Sequence, residues 1–594
     1  MKCRSMGTAA LAASLFTLGL AAASATVARA SGPQVRLVGT YNGVTGQYSS
    51  IQAAVDAALP GDWILVAPGD YHERADYAVN SWPAGVWIDK PGLHLRGMDR
   101  NRVVVDGTNQ GAAPCSVAAT DQNLGPNGQG RNGIEVYGKG FTANNVSIDN
   151  LTVCNFLTSA SGANGNQIWW NGGDGSGQIG LSGYKGSYLT ATSTYSNFVN
   201  YPAGSYGIFS SNSTHGSWTN SYASNMADSS FYIGACQQRC DATMNHDHGQ
   251  GSSLCISTTN AGGYLVIENT ECDQNKTGPV SNSQNNDDVP SPQIGLCDAA
   301  DPSEPQTGVL GTTSCTVWQN NYLHDNNNPN VPGNGTSGLA GGGPVGTGLI
   351  LAGTTSITLY HNTIVNNNSW GELIADLPDQ ETGPSNCQGG TFVPAPVGVC
   401  YYQAFGNVSL SNSFAHNGSY GNPSNGDIGL ATIAHNPGNC FAGDTDPNGL
   451  TTDPAGMESS VAGNPYAPVN KMCTTANSGD MGVLATEVLC ASQLLAPCPT
   501  LSTLCLVNPS LPCISPAPCA AACYPRATPF TLSMPPAQKT MPDPCAGVPA
   551  NAFCSAPAGA SAPAARSLAF PVAGGGALAG AWAVALTRWR RRRR

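Results

Sequence analysis

Short stretches in which apolar and polar residues alternate recur through the middle of the chain, each running into an asparagine that is followed five positions later by another. The clearest are 146–155 (Val-Ser-Ile-Asp-Asn-Leu-Thr-Val-Cys-Asn), 217–225 (Ser-Trp-Thr-Asn-Ser-Tyr-Ala-Ser-Asn) and 357–367 (Ile-Thr-Leu-Tyr-His-Asn-Thr-Ile-Val-Asn-Asn). Further copies lie at 317–325 and 408–417, with weaker ones at 265–274 and 189–197, making seven. Alternation with period two predicts strands that turn one face inward. Asparagine tolerates left-handed backbone and its amide bonds a stacked neighbour's amide, so its place in each copy predicts a turn and stacked asparagine ladders. The shortest spacing, 28 residues from Thr192 to Asn220, is about one coil of a β-solenoid. The longer spacings, 42 to 51 residues, are a coil plus an insertion, or two coils with one degenerate. No single coil buries a core; stacked coils do.

Ahead of the repeats, Ile51, Val55 and Ala58 fall at helical spacing, with Ser49 or Ser50 as N-cap and Pro60-Gly61 as the stop. The strand 63–73 follows, then 86–97 (Val-Trp-Ile-Asp-Lys-Pro-Gly-Leu-His-Leu-Arg-Gly) and 103–107 (Val-Val-Val-Asp-Gly). This opening resembles that of pectin-lyase-like proteins, including the general right-handed β-helix repeat families and pectin methylesterases. The resemblance covers about residues 36 to 440. It implies an all-β, right-handed parallel β-helix whose short N-terminal helix caps the open end of the solenoid against edge-to-edge pairing.

The ends add targeting. Residues 1–30 have a basic start, an apolar run and Ala28-Arg29-Ala30, and read as a cleaved signal peptide. Residues 568–586 form an apolar stretch long enough to span a bilayer, followed by an arginine cluster that would stay on the cytoplasmic side. This tail resembles the C-terminal sorting tails of bacterial surface proteins, although it lacks an LPxTG motif. The expected organisation is a signal peptide (1–30), β-helix (31–440), a transition region (441–489), a Cys/Pro/Ala-rich stalk (490–566) and a transmembrane anchor with an arginine-rich tail (567–594). The body is expected to be exported and held at the cell envelope.

Only 10% of the residues are charged, and 72 glycines and 42 prolines favour turn-rich, extended structure over helical domains. Of 21 cysteines, Cys3 leaves with the signal peptide, and the remaining even number fits disulfides in an oxidising compartment. Cys236 and Cys240 are read as a disulfide rather than a zinc site. The net charge is −12, and no lysine or arginine occurs between Lys276 and Lys471, which disfavours nucleic acid as a partner.

Enzyme motifs of the resembled families are sparse. Val86-Trp87-Ile88-Asp89-Lys90 is superficially like a pectate-lyase motif but sits in the opening scaffold. An acidic-sugar lyase of that kind uses a cationic base, and few cations are present. Polygalacturonase motifs are matched only by Asp287-Asp288, and the methylesterase motif is absent.

Candidate carboxylates for glycoside hydrolysis are Asp228, Asp287, Asp288 and Asp298, since that chemistry needs two converging carboxyl groups. Trp169, Trp170 and Tyr232 are candidate sugar-stacking rings, with His246, Asp247 and His248 as polar neighbours. On a strand, His246 and His248 would point the same way, as metal ligands do. In a polar loop they are solvated instead, and no metal site is assigned. No cofactor is assigned either, with calcium near Asp287, Asp288 and Asp298 the one ion considered. Trp218 and Trp318, within repeat strands, are expected in the core. Two readings remain open: a surface-anchored β-helix that binds, and by extension hydrolyses, polysaccharide or cell-surface glycan along its groove, or a non-catalytic adhesin or structural spine.

Overall fold

The computed structural model describes residues 32–458 apart from short internal segments, and then 481–492 and 524–555. The signal peptide, Asp287, Asp288 and the apolar stretch 568–586 lie outside the described residues. No described helix is long and apolar enough to cross a membrane.

Three long parallel sheets of 12, 10 and 11 strands wind around one core. Each coil contributes a strand to the first sheet, turns sharply into the second, and reaches the third through a segment of variable length. This is a parallel β-helix. The first sheet opens with Val35–Val38 paired to Trp63–Val66 and ends at Cys440–Ala442. A last third-sheet strand, Thr452–Asp453, carries the coil past residue 440.

Parallel register stacks like positions, so every interior site becomes a column. In the first sheet one column runs Ile64, Leu95, Ile148, Gly186, Trp218, Met244, Ile267, Trp318, Leu359, Ser409, Phe441. Trp218 and Trp318 are both buried there. Gly186 makes room for its neighbours: a Cβ at that position would lie 3.1 Å from both Trp170 and Trp218. Such volume matching keeps the interior at native density.

The sharp turn between first and second sheets explains the asparagines and corrects their alignment. Asn150, Asn220, Asn269 and Asn320 adopt positive φ at the turn, whereas Asn362 and Asn412 come one residue after the turn residues His361 and Ser411. That following position forms the ladder: Asn321 donates to Asn362 (2.9 Å), Asn362 to Asn412 (3.0 Å), and Asn412 to Asp444 (3.0 Å). A second ladder joins Asn275, Asn326, Asn367 and Asn417. The 189–197 copy is out of register. Thr192 ends a second-sheet strand, and Tyr188 is the turn residue equivalent to Asn220. A 28-residue coil is therefore not found there; the true offset is 32, and the shortest coil is 23 residues.

The capping helix is Ile51–Ala57, with Ser50 as N-cap. The Glu73 carboxylate accepts the backbone N–H groups of Ile51 (2.6 Å) and Gln52 (3.0 Å), neutralising the positive end of the helix. At the other end Lys90 Nζ donates to the carbonyls of Val55, Asp56 and Ala58, so the Trp-Ile-Asp-Lys stretch is scaffold.

Six disulfides occur among the described residues, Cys236–Cys240 included. They suit an extracellular or secreted chain. Part of the segment expected as a stalk, residues 524–555, does not project from the coils but runs back along them. Thr528 meets Asn330, Gln538 meets Asn101, and Thr540 meets Asn150. Phe553 then packs against Leu37, Leu65 and Met98 of the opening coils.

Candidate functional site

A three-sheet prism has three outer faces, and the candidate residues distribute among them. The third sheet holds the densest group. Its outward column reads Trp87, Glu135, Trp169, Phe209, Tyr232 and Ser257 on successive coils. Coils about 4.8 Å apart bring consecutive rings into contact. Trp169 stacks on Phe209 with centroids 5.0 Å apart and planes 8° apart. Tyr206 stacks on Phe209 from the adjoining loop (4.5 Å), and Tyr232 meets Phe209 edge-on (4.7 Å). Beyond Glu135 a second group joins Trp82, Trp87 and Tyr137.

Polar groups flank the rings. Next to the aromatic column on the same face stand Tyr137, Asn171 and Ser211, and Trp169 Nε1 donates to Ser211 Oγ (3.1 Å). Asp228 lies immediately before the Tyr232 strand, where its carboxylate accepts the Tyr206 hydroxyl (2.9 Å) and the Ser229 hydroxyl (2.6 Å). Three sequence candidates, Asp228, Trp169 and Tyr232, thus meet on one face. Sequence reading missed Glu135, Tyr206, Phe209 and Trp87. The signal for the strand residues was the period-two alternation within each third-sheet strand, which becomes a column only once the coil lengths are known.

Glu135 is 2% exposed and accepts hydrogen bonds from Asn132 (2.8 Å) and Asn171 (2.9 Å). Burial pushes its carboxyl up to about 7 against the pull of those two amides. Asp228 stands three coils further along, about 14 Å at the coil spacing. Two-carboxylate glycoside hydrolysis works across about 5 to 9.5 Å. Among the described residues, no second carboxylate hydrogen-bonds Glu135.

The remaining candidates lie elsewhere. Trp170, one residue from Trp169, points inward and is fully buried among Tyr184 and Trp218; it is core rather than a sugar platform. Alternation on a strand, absent from the loop that was expected, separates the two tryptophans. His246 is the exposed positive-φ turn residue between first and second sheets and does not share a face with His248. Asp247 is buried in the ladder position, accepts the Ser221 N–H (2.8 Å), and is pushed up to about 7 by burial, so it is not a surface contact. His248 faces out from the second sheet, where Nε2 lies 2.6 Å from Asp273 Oδ1. Asp298 sits in the loop closed by Cys297–Cys315 between third and first sheets, its N–H donating to Tyr264, and does not converge with Asp228.

No protein-family model and no curated protein matches the chain. Similar solved structures include the A-module of mannuronan C-5 epimerase AlgE4 from Azotobacter vinelandii, at 14% identity over 68% of this chain and 89% of that one, with a TM-score of 0.37. An alginate lyase from Paenibacillus sp. str. FPU-7 matches at 11% identity over 64% and 95%, TM-score 0.35. Pectate lyase Pel9A matches at 13% identity over 73% and 81%, TM-score 0.34. These are likenesses of fold, and no substrate or residue role passes from them to this chain.

Proposed function

We propose that this chain is an exported glycan-binding protein that holds a neutral or weakly charged polysaccharide along the outer face of its third sheet. The observation that carries this reading is the row Trp169, Phe209, Tyr206 and Tyr232, edged by Asp228, Asn171 and Ser211. Trp169 and Tyr206, the partly exposed rings of the row, offer apolar surface to a sugar while the buried Phe209 and Tyr232 back them, and the partly exposed Asp228 edges the row as a polar partner for sugar hydroxyls. A periodic column of side chains matches a periodic polymer. The spacing of Glu135 and Asp228 favours binding without hydrolysis, in the manner of an adhesin. Held at the envelope through residues 567–594, such a body would present this face outward.

A glycan array with the purified chain, run with and without calcium and paired with a reducing-sugar assay, tests the reading. Binding to neutral glycans without release of reducing ends is the expected result. Release of sugar would replace the adhesin reading with a hydrolase. Silence in both assays would overturn polysaccharide binding and leave a structural spine.

A further inference from the structure

The second sheet bears a different chemistry on its outer face. On three successive coils, register places His248 beside Glu271 and then Tyr322 in one column, and Gln250 beside Asp273 and then His324 in the other. Glu271 and Asp273 share the middle strand, Glu271–Asp273, two residues apart and therefore on the same side. A histidine approaches this pair from each neighbouring coil. His248 Nε2 lies 2.6 Å from Asp273 Oδ1, and His324 Nε2 lies 3.2 Å from Glu271 Oε1. One ligand atom each from His248, Glu271 and Asp273 fall within 4.8 Å of one another.

We infer that His248, Glu271 and Asp273 form a binding site for a zinc-type divalent ion. Three independent features support this. First, both carboxylates are held by a second partner, as metal ligands are: Gln250 Nε2 donates to both oxygens of Asp273 (3.1 and 2.9 Å), and His324, whose Nδ1 faces Asp325 (2.8 Å), braces Glu271. Second, the ion-pair partners of Glu271, Asp273 and Asp325 among the described residues are the imidazoles of His248 and His324 alone, with no lysine or arginine, and a metal-bound imidazole is neutral, so a divalent ion would offset the carboxylates in their place. Third, the spacing suits a small ion. Tetrahedral zinc with bonds of 2.0–2.1 Å sets its ligands about 3.3 Å apart, so His248 and Asp273 need separate by less than about 1 Å. An imidazole in the set selects zinc and its neighbours over calcium, which takes oxygen ligands. Three protein ligands leave a fourth position to water.

A second His/carboxylate group, Asp70, His72 and Asp106, is the competing place for the ion, and His72→Ala distinguishes the two. The inference is independent of glycan binding, since it concerns another face.

Zinc titration of the chelator-treated, purified full-length chain by calorimetry tests it, with cobalt absorption as a second readout. One zinc per chain is expected, not displaced by calcium, with a tetrahedral cobalt band. His248→Ala and Asp273→Asn should each weaken zinc by about 30-fold or more, and His324→Gln by about 10-fold. His72→Ala should change nothing. Glu271→Gln, which keeps the side-chain shape, serves if the other variants do not fold, and it should abolish the cobalt band. The inference is overturned if the wild-type chain takes up no zinc, if binding survives in His248→Ala and Asp273→Asn, if Glu271→Gln retains the cobalt band, or if His72→Ala abolishes binding.

Discussion

The third sheet carries two buried glutamates that face opposite sides of the sheet. Glu135, near the N-terminal end, points outward into the aromatic row and is satisfied by Asn132 and Asn171. Glu372, near the C-terminal end, points inward between Leu349 and Ile428, with the Ser409 hydroxyl on one oxygen (2.7 Å) and no hydrogen-bond partner on the other. Burial raises both, Glu135 to about 7 and Glu372 to about 8. The outer columns differ as well. Beyond Ser257 the aromatic column gives way to Val280, Ile350 and Leu373, and the helix Met481–Ala491 lies over this aliphatic end through Leu484, Cys490 and Ala491. One sheet thus has an end that is covered for stability and an end furnished for contact.

The covered end should give the largest effect. Leu484→Ala removes a fully buried side chain and is expected to cost about 2–5 kcal/mol in unfolding measurements while leaving glycan affinity unchanged below the melting range. Equal loss of affinity would show that the two ends are one unit.

Next comes pH. The folded Glu372 carboxyl is raised above its unfolded value, so its contribution to stability is full below about 4.5 and is lost as pH rises through about 8. Over the two units from pH 5 to pH 7 this amounts to about 2–3 kcal/mol. Glu135, Asp247 and Glu487, also raised by burial, add to the fall in the same direction. Lys276, lowered to about 7, contributes mainly above this window. Melting temperatures at pH 5 and pH 7 should therefore converge in Glu372→Gln relative to wild type; an unchanged gap would remove Glu372 as a source.

Smaller effects belong to the contact end. Trp169→Ala should weaken glycan binding about tenfold, or 1.4 kcal/mol, with little change in melting temperature. Tyr206→Phe removes only the hydroxyl that holds Asp228 and should weaken binding a few-fold, about 0.5–1 kcal/mol. Titration against a glycan identified on the array measures both, and an unaffected Trp169→Ala would refute the aromatic face.

Much of the coil was legible. The helix start at Ser50, the strand segments and the existence of asparagine ladders follow from local rules, because capping, alternation and left-handed turns are properties of a few adjacent residues. The exact register was not. Asn320 and Asn362 look equivalent in sequence, yet one is the turn residue and the other is a ladder residue, and a one-residue offset exchanges those roles. The same limit separated Trp169 from Trp170. His248, the Glu271–Asp273 strand and His324 lie on three different coils, and nothing in their spacing announces that they meet.

The amino-acid pattern by itself determined that this chain alternates and turns at asparagine and glycine, since those outcomes depend on a few adjacent residues, and the recurrence of that pattern implied a stacked, cysteine-rich β-solenoid, since one coil cannot bury a core alone. Which side chains share a face was decided only by the stack. Coils range from 23 residues upward with loops of unequal length, so the column that gathers Glu135, Trp169, Phe209 and Tyr232, or His248, Glu271 and Asp273, exists only after each coil has found its register on the one before it.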